Sequence, residues 1–159
     1  MNNDQLKNLE QIDKTNLFHP ITNLKSHTSE DVLILDRGEG IYVYDKQGKR
    51  YLEGLAGLWC TSLGYGVKEL AEAASEQMTK LGYASLFTSK SHEPAILLSE
   101  KLIEMSPYDK GKVFFGNSGS DANDTQLKLY TYYNNALGNT SKKKIISRIK
   151  GYHGVTVAS

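Results

Sequence analysis

Cysteine, proline, tryptophan and net charge are all scarce in this sequence. Cys60 is the only cysteine among 159 residues, so no internal disulfide can form and metal clusters built from several thiolates are excluded. A reducing compartment is compatible with that. The 19 basic and 18 acidic residues leave a formal net charge of +1, which provides no global field for nucleic acid. The basic runs, Lys142 Lys143 Lys144 and Lys49 Arg50, read as solvated turns. No window approaches the roughly 20 nearly uninterrupted apolar residues of a membrane-spanning helix. Residues 1–14 lack the basic start and apolar block of a secretory signal and the Arg-rich, acid-poor character of a transit peptide. The expected location is the cytoplasm, with no membrane and no nucleic acid as partner.

What is present falls into an ordered pattern. Residues 13–29 show little periodicity, and proline at position 20 keeps His19 out of the helical region, so this stretch reads as an arm. An apolar run over 32–35 precedes Ile41, Tyr42, Val43 and Tyr44, which with Tyr51 and Leu52 flank Asp45 Lys46 Gln47 Gly48. That loop suits a type I turn with left-handed Gly48, and therefore a small antiparallel hairpin. Gly54, Gly57, Gly64 and Gly66 crowd the next segment around Trp59. Such density serves turns, or the close approach of backbone to a ligand or another chain.

Val67, Leu70, Ala71, Ala74, Met78 and Leu81 lie on one helical face that ends at Gly82. Pro94 opens a second helix as a first-turn proline, with Ala95, Leu98, Leu102 and Met105 on one side. Residues 112–115 are a strand candidate. A helix is expected from Asp121 through Tyr133, and residues 144–149 form a second strand candidate. Strand, helix and strand in that order suggest a βαβ unit and a parallel sheet, so the chain reads as α/β in its second half.

Between the first of these strands and its helix stands Gly116 Asn117 Ser118 Gly119 Ser120. A helix amino terminus carries unpaired N–H groups and partial positive charge, so a phosphate is favoured there. Gly119 permits close approach, and Ser118 and Ser120 can add hydroxyl donors. A serine cap with nothing bound is the simpler alternative. Asp121 does not decide between them: an acid helps an empty helix and crowds a dianion. Neither the Walker pattern nor GxGxxG is present. Gly151 Tyr152 His153 Gly154 follows the second strand candidate. Loops at the carboxyl ends of parallel strands are where open α/β sheets bind ligands, and an aromatic ring there can cover a flat heterocycle; a plain turn is the competing reading. Trp59 and Phe87 read either as core anchors or as pocket walls. His19, His27, His92 and His153 show no metal-ligand spacing, and no nucleophile–base pair is recognisable.

Taken together, Gly38 to Tyr42, residues 45–52, Gly54 to Cys60, FFGNSGSDAND over 114–124 and residues 146–154 resemble the class III aminotransferases, in the family's order and spacing. Within the family, the omega-transaminases that use pyruvate are most similar. The resemblance spans about residues 17–159. It implies a pyridoxal 5′-phosphate (PLP) enzyme of fold type I, usually a homodimer with active sites at the subunit interface. Residues 1–66 then correspond to an arm and a small-subdomain hairpin with a Gly-rich pocket segment, and residues 67–159 to the first part of the large PLP-binding domain.

By position, Ser118, Gly119 and Ser120 match the turn that holds the cofactor phosphate, and Tyr152 matches the aromatic that stacks on the pyridine, with His153 adjoining it. Trp59 and Phe87 match residues lining the substrate pocket, Phe87 acting across the dimer interface. Phe18 lies in the arm that folds over the site. Gly116, Asp121 and Tyr130 Thr131 Tyr132 depart from the family's usual residues, which bears on local packing.

The implied reaction takes an amino group from an amine donor and passes it to pyruvate or another oxo acid, with a Schiff-base lysine as the catalytic group. No lysine here occupies the matching position, which in the family lies more than a hundred residues further on. Residues 154–159 show no polar tail or cap and read as a chain that continues. Two expectations therefore stand side by side. One is the opening third of an aminotransferase. The other, for the 159-residue chain alone, is a noncatalytic fragment, at most binding phosphate or pairing with another chain. Diamine and 4-aminobutyrate aminotransferases share these motifs, so the donor is left open.

Overall fold

A computed structural model describes residues 3–159 and separates into two compact units, 1–83 and 84–159. In the first unit, α1 (Asn3–Asn16) and α2 (Leu24–Ser29) precede a sheet of β1 (Leu35–Glu39), β2 (Tyr42–Asp45) and β3 (Arg50–Leu52). A one-turn element α3 (Ala56–Trp59) and the helix α4 (Lys68–Leu81) follow. In the second unit stand α5 (Glu93–Met105) and α6 (Gly119–Ala136). Among the described residues no helix is long and apolar enough to cross a membrane.

The sheet is antiparallel in the order β1-β2-β3, with Gly38 opposite Val43 and Val43 opposite Tyr51. The register slips between Leu35 and Arg37, which makes Asp36 a bulge residue. Alternation along β2 points Val43 and Asp45 inward. Val43 is the one buried apolar side chain among the described residues, at 7% exposure. Tyr42 and Tyr44 take the other face, where Arg50 and Arg37 lie over their rings at 4.5 and 3.5 Å.

The 45–48 turn forms as the sequence suggests, with Gly48 at φ +84°. Its brace is the buried Asp45 carboxylate, which accepts from the amides of Gln47 and Lys49 at 2.9 Å and from the Tyr51 hydroxyl at 2.8 Å. Burial alone would raise this carboxyl. The Tyr51 hydroxyl, the two amides and the Lys49 charge outweigh it and hold Asp45 below the ordinary range.

The glycine-rich segment finds its close approach within the chain. Gly40 and Tyr65 exchange backbone hydrogen bonds of 3.0 and 2.8 Å. A Cβ on Gly38 would sit 2.6 Å from that of Tyr65, and one on Gly64, at φ +82°, would sit 2.7 Å from the Gly40 carbonyl oxygen. Only glycine lets the 61–66 loop lie this close against β1.

Helices α4 and α5 occupy the periods expected of them, with Pro94 in the first turn of α5. Helix α6 runs beyond Tyr133 to Ala136. Two expectations fail. The stretch read as an aperiodic arm contains the end of α1 and all of α2. Residues 112–115 and 144–149 are not in strands, and the only sheet among the described residues is the antiparallel one. A strand exists through its ladder, and these two segments pair neither with each other nor with any described neighbour. Their apolar side chains stay open: Phe114, Ile146 and Ile149 are all exposed, as are Leu70 and Met78 of α4 and Leu98 of α5.

Candidate active site

Ser118 is the N-cap of α6, with extended backbone and its Oγ accepting from the Asp121 amide at 3.1 Å. The Asp121 carboxylate folds back to accept from the Asn117 amide at 3.1 Å, a variant of the capping box. A Cβ on Gly116 would meet this carboxylate at 2.7 Å. The two departures from the usual family residues, Gly116 and Asp121, thus fit one another.

This arrangement leaves the amides of Gly119 and Ser120 without a partner among the described residues, at the positive end of an 18-residue helix. A Cβ on Gly119 would meet nothing within 4 Å. Gly119 therefore answers no internal packing demand and borders open space. A hydroxyl that accepts still has its own hydrogen to give, so Ser118 can cap the helix and donate outward at once. An anion of phosphate size fits this donor set.

The structure brings the second motif to the same helix end. Asn123 Nδ2 donates to the His153 carbonyl at 2.5 Å, the Val155 amide to Ser120 Oγ at 3.1 Å, and the Ala158 amide to Asp124 Oδ1 at 3.3 Å. Tyr152 immediately precedes this docked segment and is 79% exposed. His153 is exposed too and contributes its backbone carbonyl to the docking.

Trp59 lies in α3, which is a left-handed turn: Ala56, Gly57, Leu58 and Trp59 have φ of 49°, 60°, 69° and 64°. The amides of Trp59 and Cys60 still close i→i−4 bonds of 2.9 Å on Leu55 and Ala56. Left-handed helix costs a non-glycine residue roughly 1–2 kcal/mol, so something must hold it. Glu53 does, accepting from the Gly57 amide at 2.6 Å, the Leu55 amide at 3.0 Å and the Tyr65 hydroxyl at 3.3 Å. The Gly57 amide first, and then the Leu55 amide and Tyr65 hydroxyl, outweigh burial and keep the Glu53 carboxyl below its ordinary range. The turn holds Trp59 at 79% exposure. Phe87, at 78%, precedes Thr88 and Ser89, both at positive φ, and the exposed Phe18 lies three residues before Ile21 at φ 52°.

Among the described residues, the seven non-glycine ones with positive φ are Ile21, Ala56, Leu58, Trp59, Thr88, Ser89 and Lys150. Each belongs to a stretch in which the sequence places Phe18, Trp59, Phe87 or Tyr152. Backbone strain of this kind persists only where the surroundings over-determine it, and it gathers at functional sites. Nothing in the local sequence foretells it. The polar cluster of Asp13, His19 and His27 was also missed, because its members are 6 and 8 residues apart and match no recurring ligand spacing.

Residues 24–159 match the sequence profile of Aminotransferase class-III. The chain belongs to that family. It is 44% identical over 155 residues to a diaminobutyrate–2-oxoglutarate transaminase of Halomonas elongata, covering 96% of this chain and 33% of that protein. The omega transaminase from Pseudomonas jessenii, solved in complex with PMP, superposes with a TM-score of 0.91 at 54% identity, over 94% of this chain and 33% of that one. A thermostable omega transaminase variant with a tryptophan, a phenylalanine and an arginine replaced is described as engineered for synthesis of enantiopure bulky amines. It has a TM-score of 0.91 and 53% identity over 94% of this chain and 33% of its own. The chain thus spans about a third of the length of the aminotransferases it matches. With these neighbours, its fold is that of PLP-dependent transaminases of fold type I, the small antiparallel sheet and helices corresponding to the N-terminal part.

Proposed function

We propose that this class III aminotransferase chain supplies the cofactor-phosphate anchor and part of the substrate pocket of an enzyme that transfers an amino group from an amine or omega-amino acid to pyruvate or another oxo acid. The observation that carries this reading is the unpartnered amide pair of Gly119 and Ser120 beside open space, with the Tyr152 segment docked on the same helix end. PLP, when bound, supplies an electron sink at the carbon that exchanges its amino group. The Gly119 and Ser120 amides would donate to its phosphate, and the hydroxyls of Ser118 and Ser120 would add to them. Tyr152 would stack on its ring, and His153 would support Tyr152 through the carbonyl held by Asn123.

Trp59, Phe87 and Phe18 shape the substrate pocket. Trp59 and Phe87 stand 28 positions apart, the same separation as the tryptophan and phenylalanine replaced in the engineered bulky-amine variant. In this reading residues 1–66 form the arm and small domain, residues 67–159 open the large domain, and the working enzyme is a homodimer that places Phe87 across the interface. The large exposed apolar faces of both units favour a second statement. The 159 residues alone bind and orient, while proton transfer at the reacting carbon needs a lysine they do not include.

The test is amino transfer by the protein that carries this sequence, with 4-aminobutyrate, 2,4-diaminobutyrate and an arylalkylamine as donors. Alanine formed from pyruvate is the expected result. Glutamate formed only from 2-oxoglutarate would replace the pyruvate assignment, and no transfer to either acceptor would refute the activity. PLP-dependent turnover by the 159-residue chain itself would refute the noncatalytic statement.

A further inference from the structure

Asp13 stands in the last turn of α1, His19 in the bend before Pro20 and His27 in α2, and the three side chains converge. His19 Nε2 lies 3.0 and 2.9 Å from Asp13 Oδ1 and Oδ2, and His27 Nε2 lies 2.8 Å from Oδ1. The imidazole centroids are 4.2 Å apart. On a chain whose side chains are mostly open to solvent, these are sheltered, at 16%, 29% and 15% exposure for Asp13, His19 and His27. One ligand atom from each lies within 4.8 Å of the other two.

We propose that Asp13, His19 and His27 bind one divalent transition-metal ion of the zinc class, through one Asp13 carboxylate oxygen and the Nε2 atoms of both histidines. The site is independent of the aminotransferase reading. Two imidazoles and a carboxylate are the donor set that zinc, cobalt and nickel ions accept, and three protein ligands leave a fourth position open. Bonds of about 2.0–2.1 Å to a tetrahedral centre set ligand atoms about 3.3 Å apart. The present N···O separations of 2.8–3.0 Å need to open by only a few tenths of an ångström.

Without metal, each Nε2 carries the hydrogen it donates to Asp13. On metal uptake that hydrogen leaves Nε2, passing to Nδ1 where Nδ1 is vacant and to solvent where the ring is cationic, and the freed lone pair coordinates. Asp13 is ready as a ligand. Burial would raise its carboxyl, but the hydrogen bonds and charges of His27 and His19 outweigh this and hold it ionised. His27 also lines a cleft of about 290 Å³ together with Leu17, Leu24 and Thr28. The bound ion would fasten α1 to α2 across the Pro20 bend.

The experiment titrates chelator-stripped protein with Zn2+ against a colorimetric indicator, and with Co2+ by its visible d–d absorption. One equivalent of Zn2+ is expected, with tetrahedral Co2+ bands. Asp13→Asn and His27→Gln should each weaken binding at least about tenfold, while His92→Gln leaves it unchanged. Because the first two substitutions can also loosen the arm, histidine 15N spectra of the unaltered protein give a second reading: Nε2 of His19 and His27 should shift with one equivalent of Zn2+. No uptake at millimolar Zn2+, undiminished uptake in both variants, or shifts at His92 or His153 in place of these two would overturn the site and leave a metal-free hydrogen-bonded clasp.

Discussion

Replacing Ser118 separates the two things its hydroxyl can do. As N-cap it accepts from the Asp121 amide at 3.1 Å, and losing that bond to alanine costs about 1 kcal/mol, whereas glycine at an N-cap costs only a few tenths. As a phosphate donor it would contribute a charge-assisted hydrogen bond of about 1.5–3 kcal/mol, or roughly 10- to 150-fold in cofactor affinity. Ser118→Gly is therefore the informative change: nearly silent in stability, costly in binding. Ser118→Ala should lose both, and Ser118→Thr neither. Cofactor affinity read by absorbance titration of the active protein, set beside urea midpoints of the same variants, gives the comparison. If Ser118→Gly binds PLP as tightly as the parent, the hydroxyl is a cap and nothing more, and the phosphate must rest on the Gly119 and Ser120 amides and the Ser120 hydroxyl.

Trp59→Gly should leave stability unchanged or raise it by up to about 1.5 kcal/mol. The side chain is largely exposed, and glycine relieves a strain of about 1–2 kcal/mol at φ 64° against an entropy cost of about 0.5–1. The same variant should move kcat/KM toward bulkier amines, and a marked loss of thermal stability with unchanged preference would return Trp59 to a packing role. Gly38→Ala places a Cβ 2.6 Å from that of Tyr65 and should destabilise the first unit by about 1–3 kcal/mol, read as a lowered urea midpoint. Asp45 binds its proton less readily folded than unfolded. Its contribution is therefore complete above the ordinary value of 3.8 and is lost as pH falls through the lower folded value. Near-UV circular dichroism of the tyrosines should follow that loss below pH 3.8, and Asp45→Asn should flatten it; an unchanged acid transition in the variant would remove Asp45 as its cause.

The features legible in the sequence are those whose physics is local. The 45–48 turn needs a left-handed residue at Gly48 and has one, the helices α4 and α5 write their period into Leu70, Met78, Leu98 and Leu102, and Ser118 caps α6 as its residue type suggests. The aminotransferase family is legible for a related reason, since its Gly116–Ser120 and Gly151–Gly154 motifs are short contiguous strings. Helix α1 was less so, being polar over most of its surface. Residues 112–115 and 144–149 carry strand-forming side chains yet stand outside any sheet, because a strand depends on partners that propensity does not provide.

By itself, then, the sequence determined the aminotransferase family, the local turns and helices, and the candidate residues Ser118, Gly119, Ser120 and Tyr152. Tertiary structure decided what brings distant residues together. It docked residues 153–158 on the end of α6, spent Gly38 and Gly64 on backbone approach within the chain, held Trp59 in a left-handed turn through Glu53, and closed Asp13, His19 and His27 into one cluster. Propensity and capping act over a few residues and can be read along the chain, whereas these contacts exist only where the folded backbone makes residues far apart in sequence into neighbours.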